Sequence, residues 1–277
     1  MSIVTGVAIP VSNLERALDF YQRVLDFELQ SPPVLLAEAR CQQLELPGAQ
    51  ILSASLQLGR EQIELQQFVT PAGRAAPTDS RSNDGWFQHI AIIVSSMSAA
   101  VSRLQQHHVV PASRGPQRLP DWNAAAAGIE AYYFFDPDNQ PLEVLAFPPG
   151  KGQPRWQTKQ ALFLGIDHTA VVVNNIARST AFYQNTLALQ IAGGSENHGP
   201  EQAALNNVTG AHLDILSLRG ASGPAVEFLH YRTPRDGRPT PPDTRACDHW
   251  AWRTRVAGLG RCALLRDPDG HLIESNS

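Results

Sequence analysis

The sequence contains an internal repeat, and this repeat constrains the fold more than any other feature of the chain. Residues 6–25 align without a gap with residues 168–187, an offset of 162 positions, and both segments contain the tripeptide Phe-Tyr-Gln. Further along, Glu64 matches Glu227 at an offset of 163. Self-similarity over this distance indicates that the chain is built from copies of one supersecondary unit.

Shorter repeats show that each half contains more than one unit. The Asp-Pro-Asp-Asn turn at Asp136 recurs as Asp-Pro-Asp-Gly at Asp267, and the turns are followed by Glu143 and Glu274 respectively. Turns of this composition join two strands. Residues 88–97 repeat the apolar run and polar cap that open the first unit. The patterns therefore predict a unit of one strand, one helix and about three further strands, repeated four times.

The units fall into two predicted domains of unequal size. Residues 147–155 are rich in proline and glycine, which indicates a linker. The fourth unit is short, because His89 and Glu143 are 54 positions apart whereas His249 and Glu274 are 25 apart, so we expect it to lack a helix and a strand. The predicted organisation is a first domain at 1–150 with units at about 3–70 and 87–148, a linker at 151–162, and a second domain at 163–277 with units at about 163–231 and 246–277.

Charge and cysteine content exclude several classes of protein. The net charge is −4 and charged residues make up only 17% of the chain, so no basic stripe is available for nucleic acid. The three cysteines lack Cys-x-x-Cys spacing, which argues against a disulfide framework and a thiolate zinc site. No window reaches the roughly 18 apolar residues of a membrane span, and no signal peptide is apparent. We expect a cytoplasmic protein without nucleic-acid or membrane partners.

These repeated units resemble those of the vicinal oxygen chelate superfamily, which includes glyoxalases, bleomycin-resistance proteins and extradiol dioxygenases. The similarity rests on Phe-Tyr after a capped helix, on histidine in a unit's first strand, and on the Asp-Pro-Asp-Gly hairpin followed by Glu274. It implies an α+β fold in which tandem βαβββ units pair into two cup-shaped, glyoxalase-like domains, with the fourth unit truncated and its helix missing.

The resemblance also implies one divalent metal ion in a cup, held by residues from the first and last strands of each unit. Imidazole and carboxylate ligands suit iron, manganese, nickel, cobalt or zinc. The second half offers the set expected to bind the ion: His168, Glu227, His249 and Glu274. A two-residue change of register would put Ala251 in place of His249. The first half offers a secondary set of Glu64, His89 and Glu143, with Gly6 at the fourth position, where it cannot act as a ligand.

The implied activity is that of a metal-dependent enzyme on a small oxygenated molecule. Isomerase or lyase chemistry by proton transfer is favoured, with Glu227 or Glu274 as the catalytic base. Two alternatives stay open: a non-catalytic small-molecule binding protein of the bleomycin-resistance kind, and an extradiol-type dioxygenase. His198, Asn206 and His212 are candidates for substrate contact. Exposed strand edges would favour a homodimer.

Overall fold

A computed structural model describes residues 2–276, and the repeated unit is visible four times in this range. In the first unit the side chain of Asn13 caps the first helix by accepting a hydrogen bond from the backbone of Arg16. The elements of this unit are β1 (Ile3–Val11), α1 (Leu14–Arg23), β2 (Glu28–Leu29), β3 (Val34–Leu35), α2 (Glu38–Gln43), β4 (Gln50–Leu58) and β5 (Glu61–Thr70).

The second and third units follow the same plan on either side of the linker, which carries one turn of 3-10 helix at Pro154–Gln157. The second unit consists of β6 (Gln88–Val94), α3 (Met97–Gln106), β7 (Gln117–Arg118), β8 (Glu130–Phe135) and β9 (Pro141–Ala146). The third consists of β10 (Phe163–Val172), α4 (Ile176–Asn185), β11 (Gln190–Asn197), α5 (Pro200–Asn206), β12 (His212–Arg219) and β13 (Ala225–Thr233).

The fourth unit is the truncated one. It consists of β14 (Arg253–Ala257), β15 (Ala263–Arg266) and β16 (Leu272–Asn276). Within the part of the chain that the structure describes, no helix follows β14, whereas α3 follows the corresponding strand β6. The predicted α+β fold and the missing helix are confirmed.

The strands form two curled eight-stranded sheets. The first sheet has the order β15-β16-β14-β1-β5-β4-β2, with β3 also paired to β4, and the second has the order β11-β12-β13-β10-β6-β9-β8-β7. The first unit therefore pairs with the fourth, through β1 and β14, and the second pairs with the third, through β6 and β10. This differs from the pairing expected from the sequence, in which the units of 1–150 would pair with each other and those of 163–277 likewise.

The segments that connect β5 to β6 and β13 to β14 bind each other where the two halves of the chain exchange units. Arg74 in the first segment binds the buried Asp248 of the second (Nε–Oδ1 3.0 Å, Nη2–Oδ2 2.6 Å). Arg238 in the second segment binds the buried Asp84 of the first (3.1 Å and 2.6 Å for the same atom pairs). Two-pronged arginine–carboxylate pairs are strong and directional. They bring β6 and β14 to one junction, from which each strand joins a unit of the other half.

The convex faces of the two sheets share a core, and the concave faces form two cups. Ile9 of β1 and Ile92 of β6 belong to one buried apolar cluster. Side chains alternate along a strand, so His89 and Ala91 of β6 point to the concave face of the second sheet, where Ala91 belongs to a different buried cluster. No helix within residues 2–276 is long and apolar enough to cross a membrane.

Candidate metal centre

Strand register brings two histidines and two glutamates together in the cup of the second sheet. Ala170 of β10 lies opposite His89 of β6 on one side and Glu227 of β13 on the other. Two residues further along β6, on the same face as His89, Ala91 lies opposite His168 of β10 on one side and Glu143 of β9 on the other. The four candidate ligands thus occupy two adjacent rows, and small alanines separate the pair in each row. The repeated pattern His-x-Ala, at His89 and at His168, produces this arrangement.

The ligand atoms converge at distances that a metal ion requires. His89 Nε2 is 3.1 Å from Glu143 Oε2, and His168 Nε2 is 3.6 Å from Glu143 Oε2 and 3.4 Å from Glu227 Oε2. Bonds of about 2.0–2.2 Å to one ion place neighbouring ligand atoms about 3.0–3.5 Å apart. Ligand atoms of His89, Glu143 and His168 all lie within 4.8 Å of one another. The arrangement can hold a divalent cation.

The two glutamates have opposite electrostatic environments. Burial would raise the pKa of Glu143, but hydrogen bonds with His168 and His89 outweigh it and hold this pKa below its usual range. Burial raises the pKa of Glu227, and the nearby histidines offset this only in part. Burial would lower the pKa of His168, but Glu227, Asp167 and Glu143 together hold it well above its usual value. Carboxylates whose pKa values diverge in this way are suited to different roles in one site.

Asp167 orients His168 from outside the ligand set. Its Oδ2 lies 3.2 Å from His168 Nδ1, which leaves Nε2 directed at the two glutamates. Asp167 is itself fixed by Arg219 at 3.1 Å and by the indole Nε1 of Trp156 at 3.3 Å. A carboxylate behind a ligating histidine sets the tautomer and orientation of the ring.

Replacement of Asp167 by asparagine is expected to weaken metal binding by about 10- to 100-fold, the usual cost of losing such a partner. Competition with a fluorescent chelator measures this change. Asp214→Asn is a matched control, because Asp214 also lies between a histidine and an arginine, His230 and Arg232, but on β12 outside the ligand set. Equal affinities for wild type and Asp167→Asn would contradict a positioning role for Asp167.

The ligands lie in a cavity of about 300 Å³ with walls that are mostly apolar. Leu119 and Phe147 come from the second unit, and Leu205 and Leu229 come from the third. Polar groups in the wall are few: Asn197, Gln202, Ser195, Ser217 and the hydroxyl of Tyr133, besides the ligands and Asp167. Such a cavity encloses a small molecule and orients it by a few hydrogen bonds.

The structure divides the predicted ligand set between the two sheets. His168 and Glu227 lie in the cup described above. Glu274 lies in β16 of the first sheet, where it contacts Arg40 and Arg253. His249 precedes β14 and lines a separate cavity. From the secondary set, His89 and Glu143 join His168, whereas Glu64 lies in β5 of the first sheet.

In the first sheet, neither of the two histidine positions holds a histidine. Ala8 lies opposite Arg253 and Glu64, just as Ala170 lies opposite His89 and Glu227, so Arg253 is the counterpart of His89. The residues that the sequence predicted as counterparts of His89, namely His249 and its alternative Ala251, lie four and two residues before Arg253. The four positions in this cup are Gly6, Glu64, Arg253 and Glu274.

Arginines fill the space in the first cup. Glu64 Oε2 is 2.8 Å from Arg255 Nη1 and 3.2 Å from Arg40 Nη2. Glu274 contacts Arg40, and Arg253 Nε lies 3.7 Å from Glu274 Oε2. A buried charge must be paired, and here the pairing is with guanidinium groups. This cup is therefore held together by ion pairs between side chains.

Glu64 should give the protein a marked sensitivity to acid. Burial would raise its pKa, but Arg255 and Arg40 outweigh this and lower the pKa from 4.5 to about 2. Because the pKa is lower in the folded state, the contribution of Glu64 to stability is present above pH 4.5 and is lost as the pH falls towards 2. The shift corresponds to about 3 kcal/mol. Urea unfolding at a series of pH values measures the free energy of unfolding of wild type and of Glu64→Gln. The difference between the two free energies should become smaller as the pH falls from 4.5 towards 2. A difference that stays constant would contradict the lowered pKa of Glu64.

The predicted substrate-contact residues lie outside the cavity of the candidate metal centre. His198 stacks on Trp122 with ring centroids 4.2 Å apart, and His212 Nε2 is 2.7 Å from Glu196 Oε1. Asn206 is buried and donates to the hydroxyl of Tyr231 at 2.8 Å. Asn197, the neighbour of the predicted His198, lines the cavity and donates to Gln202 Oε1 at 3.0 Å, and sequence reasoning missed Gln202. It also missed Asp167, for which the adjacent Asp-His pair was an available signal.

Comparison with known proteins agrees with this architecture. Glyoxalase I from Zea mays has a TM-score of 0.62 and 13% identity, with 99% of this chain and 92% of that chain covered. A putative dioxygenase from Bacillus subtilis has a TM-score of 0.57 and 14% identity, with 99% and 84% covered. At such identities the likeness shows a shared fold.

Sequence comparison establishes the family. A search of curated proteins gives no match. The family model described as the Glyoxalase/Bleomycin resistance protein/Dioxygenase superfamily matches residues 4–144 and 165–252, well over half of the chain. The chain belongs to this superfamily, as its repeats predicted.

Proposed function

We propose that the protein is a divalent-metal-dependent enzyme that transfers a proton within a small oxygenated molecule. The observation that carries this proposal is the convergence of His89, Glu143, His168 and Glu227 in a mostly apolar cavity. These four residues would hold the ion. When bound, the ion supplies a Lewis acid that polarises a substrate oxygen.

Glu227 is the residue best suited to act as the base. Its side chain is 20% exposed, compared with 1% for His89 and 5% for Glu143. Burial raises its pKa in the metal-free protein, and a positioned carboxylate of this kind can accept a proton from a substrate. Glu143, with its lowered pKa and two histidine partners, is held as an anion. Glu274, the other predicted base, is enclosed among arginines in the first sheet and does not reach this cavity.

His89, His168 and Glu143 form the closely spaced group, and the additional carboxylate, Glu227, favours proton transfer over ring cleavage. Non-heme iron oxygenases use two histidines and one carboxylate, with the remaining positions open to substrate and dioxygen. Here a second carboxylate, Glu227, lies 3.4 Å from His168 Nε2. We therefore expect the iron(II)-loaded protein to consume no dioxygen with catechols in an oxygen-electrode assay.

Metal reconstitution tests the proposed function. Protein stripped with a chelator is titrated with manganese, iron(II), cobalt, nickel or zinc, and bound metal and melting temperature are measured. One ion per chain should bind, and the melting temperature should rise because the ion binds the folded state. If none of the five metals binds, the proposal fails and the non-catalytic binding function remains.

A further inference from the structure

The far wall of the cavity that contains the candidate metal centre carries side-chain amides. Asn197 of β11 and Gln202 of α5 line this cavity and are 4% and 3% exposed. Asn197 lies opposite Leu213, which lies opposite Tyr231, four residues along β13 from Glu227. A strand rises about 3.3 Å per residue, so the row of Asn197 is about 13 Å from the row of Glu227. The cavity therefore has the metal-binding residues at one end and amides at the other.

These amides belong to a chain of buried hydrogen bonds that is anchored at both ends by backbone carbonyls. At one end Asn123 Nδ2 donates to the backbone carbonyl that precedes Asn197, at 3.2 Å, and to Asn197 Oδ1, at 2.9 Å. At the other end Ser82 Oγ donates to the backbone carbonyl of Asn206 at 2.7 Å. A hydroxyl has one hydrogen, so the 3.1 Å bond between Ser82 and Tyr231 is donated by the tyrosine.

The direction of every bond between the two ends follows from these anchors. The Tyr231 hydroxyl has used its hydrogen and accepts from Asn206 Nδ2 at 2.8 Å. Asn206 Oδ1 then accepts from Gln202 Nε2, and Gln202 Oε1 accepts from Asn197 Nδ2 at 3.0 Å. Asn197 Oδ1 also accepts from Ser195 Oγ at 2.7 Å, in addition to the bond described above. The amide oxygens are thus engaged within the chain.

The amide N–H groups are what this chain leaves for a ligand. Each amide nitrogen carries two hydrogens, and Asn197 Nδ2 and Gln202 Nε2 each donate one within the chain. Neither nitrogen has a second acceptor within hydrogen-bonding distance among residues 2–276. A buried N–H without a partner is costly, and an oxygen of a bound molecule would remove this cost. This end of the cavity therefore selects a hydrogen-bond acceptor.

Apolar side chains separate the two polar ends of the cavity. Ile215 and Leu229 are paired and occupy the row between Glu227 and Asn197. Phe147 adds a ring to the wall. A molecule that reaches both ends therefore needs an apolar segment between two oxygen-bearing ends.

The charges around the cavity favour an uncharged acceptor at the amide end. Neither arginine nor lysine lines the cavity within the described part of the chain. Lys151 lies near the rim, but its Nζ donates to the backbone carbonyls of Ala124 and Ala125 at 3.0 and 3.1 Å. At the metal end, Glu143 and Glu227 would balance the charge of a divalent ion. An anionic tail would lose hydration without finding a free cation.

We propose that the substrate is an elongated, uncharged molecule with an oxygenated group at the metal end, an apolar segment, and an ether or carbonyl oxygen that accepts from Asn197 and Gln202. The inference rests on the proposed function for the role of the metal end, whereas the amide end is testable by binding alone. Asn197 and Gln202 determine specificity in this proposal, since they contact the substrate away from the reacting atoms.

Matched pairs of hydroxymethyl ketones test the amide end. One member of each pair has a tail that ends in a methoxy group, and the other has an alkyl tail of equal length; the tails increase in length up to roughly 13 Å. Saturation-transfer NMR gives the dissociation constants for the zinc-loaded protein. An ether is better hydrated than a methylene, so an apolar wall prefers the alkyl tail. At the length that reaches the amides, the methoxy ketone should instead bind at least as tightly.

Variants separate the hydrogen bonds from the hydrophobic effect. Gln202→Met and Asn197→Leu keep side chains of similar size and remove the N–H donors. The alkyl-to-methoxy ratio of dissociation constants should fall about 5-fold in each, the effect of one neutral hydrogen bond. Asn206→Asp is the matched control. It keeps an oxygen for Gln202 Nε2, and Asn206 lines a second cavity, at the junction of the two connecting segments. Its ratio should equal that of wild type.

The outcomes distinguish this inference from the proposed function. A preference for the alkyl tail at every length in wild type, which needs no variant to fold, would overturn the donor role, as would an unchanged ratio in both variants. Tighter binding of a carboxylate-ended ketone would overturn the uncharged class, and no saturable binding of any ketone would overturn the site. If the ratios are as expected but no ketone exchanges deuterium with solvent, the proposed function fails and the amide end stands.

Discussion

Replacement of His168 by alanine is expected to abolish tight metal binding. His168 Nε2 lies 3.4–3.6 Å from carboxylate oxygens of Glu227 and Glu143, so its loss removes the group that links the two glutamates. Loss of an outer partner alone costs about 10- to 100-fold in affinity, and loss of the ligand itself should exceed the upper end of this range. Inductively coupled plasma mass spectrometry after dialysis measures the metal retained per chain.

His249→Ala is the matched control for this experiment. Both histidines belong to the set that the sequence assigns to the metal, but His249 lies in the segment before β14 and lines the second cavity. The His249 variant should retain metal as wild type does. Loss of metal from His249→Ala with retention in His168→Ala would contradict the site assembled in the second sheet.

Glu227→Gln is expected to lower the rate of proton transfer by about 10²- to 10⁴-fold, the usual contribution of a positioned acid–base group. The amide keeps the size of the side chain and one oxygen, but it cannot accept a proton. The assay follows deuterium from solvent into the carbon next to the carbonyl of hydroxyacetone and larger 2-hydroxycarbonyl compounds by proton NMR. The metal concentration is kept saturating, so that weaker metal binding does not mimic loss of the base.

The control variant is Glu196→Gln, which removes a carboxylate of β11 that pairs with His212 at the protein surface. It should exchange deuterium at the wild-type rate. If Glu227→Gln also exchanges at that rate under saturating metal, Glu227 is not the base.

The fold was predictable because it is repeated. Residues 6–25 and 168–187 carry the same cap and the same helical stripe, and the structure has α1 and α4 there. The truncation of the fourth unit was also predictable, because the distance between His249 and Glu274 leaves no room for a helix. Such features depend on local sequence, which is repeated along the chain.

Local sequence did not predict which units pair with each other in a sheet. The sequence places the second unit beside the first, but pairing depends on long-range contacts, such as the β6–β10 ladder and the ion pairs of Arg74 with Asp248 and Arg238 with Asp84. A signal was available, since each arginine precedes an Asp-x-Trp segment and the two copies are 164 positions apart. At this offset His89 aligns with Arg253 and His249 aligns with a glycine, Gly85.

The candidate site was half predictable for the same reason. His168 and Glu227 belong to one unit, so the repeated pattern of that unit was enough to predict that they lie close together. Their companions His89 and Glu143 come from the unit that pairs across the linker, and identifying them requires the sheet order. Asn197 and Gln202 face the cavity because of the local path of β11 and α5. This part of the third unit does not follow from the repeated pattern.

Anomalous diffraction from crystals of the manganese- or cobalt-loaded protein locates the bound ion. We expect one peak per chain, within about 2.0–2.3 Å of His89 Nε2, His168 Nε2 and carboxylate oxygens of Glu143 and Glu227. A peak beside Glu64 and Glu274 in the first sheet, or no peak in fully loaded crystals, would contradict it.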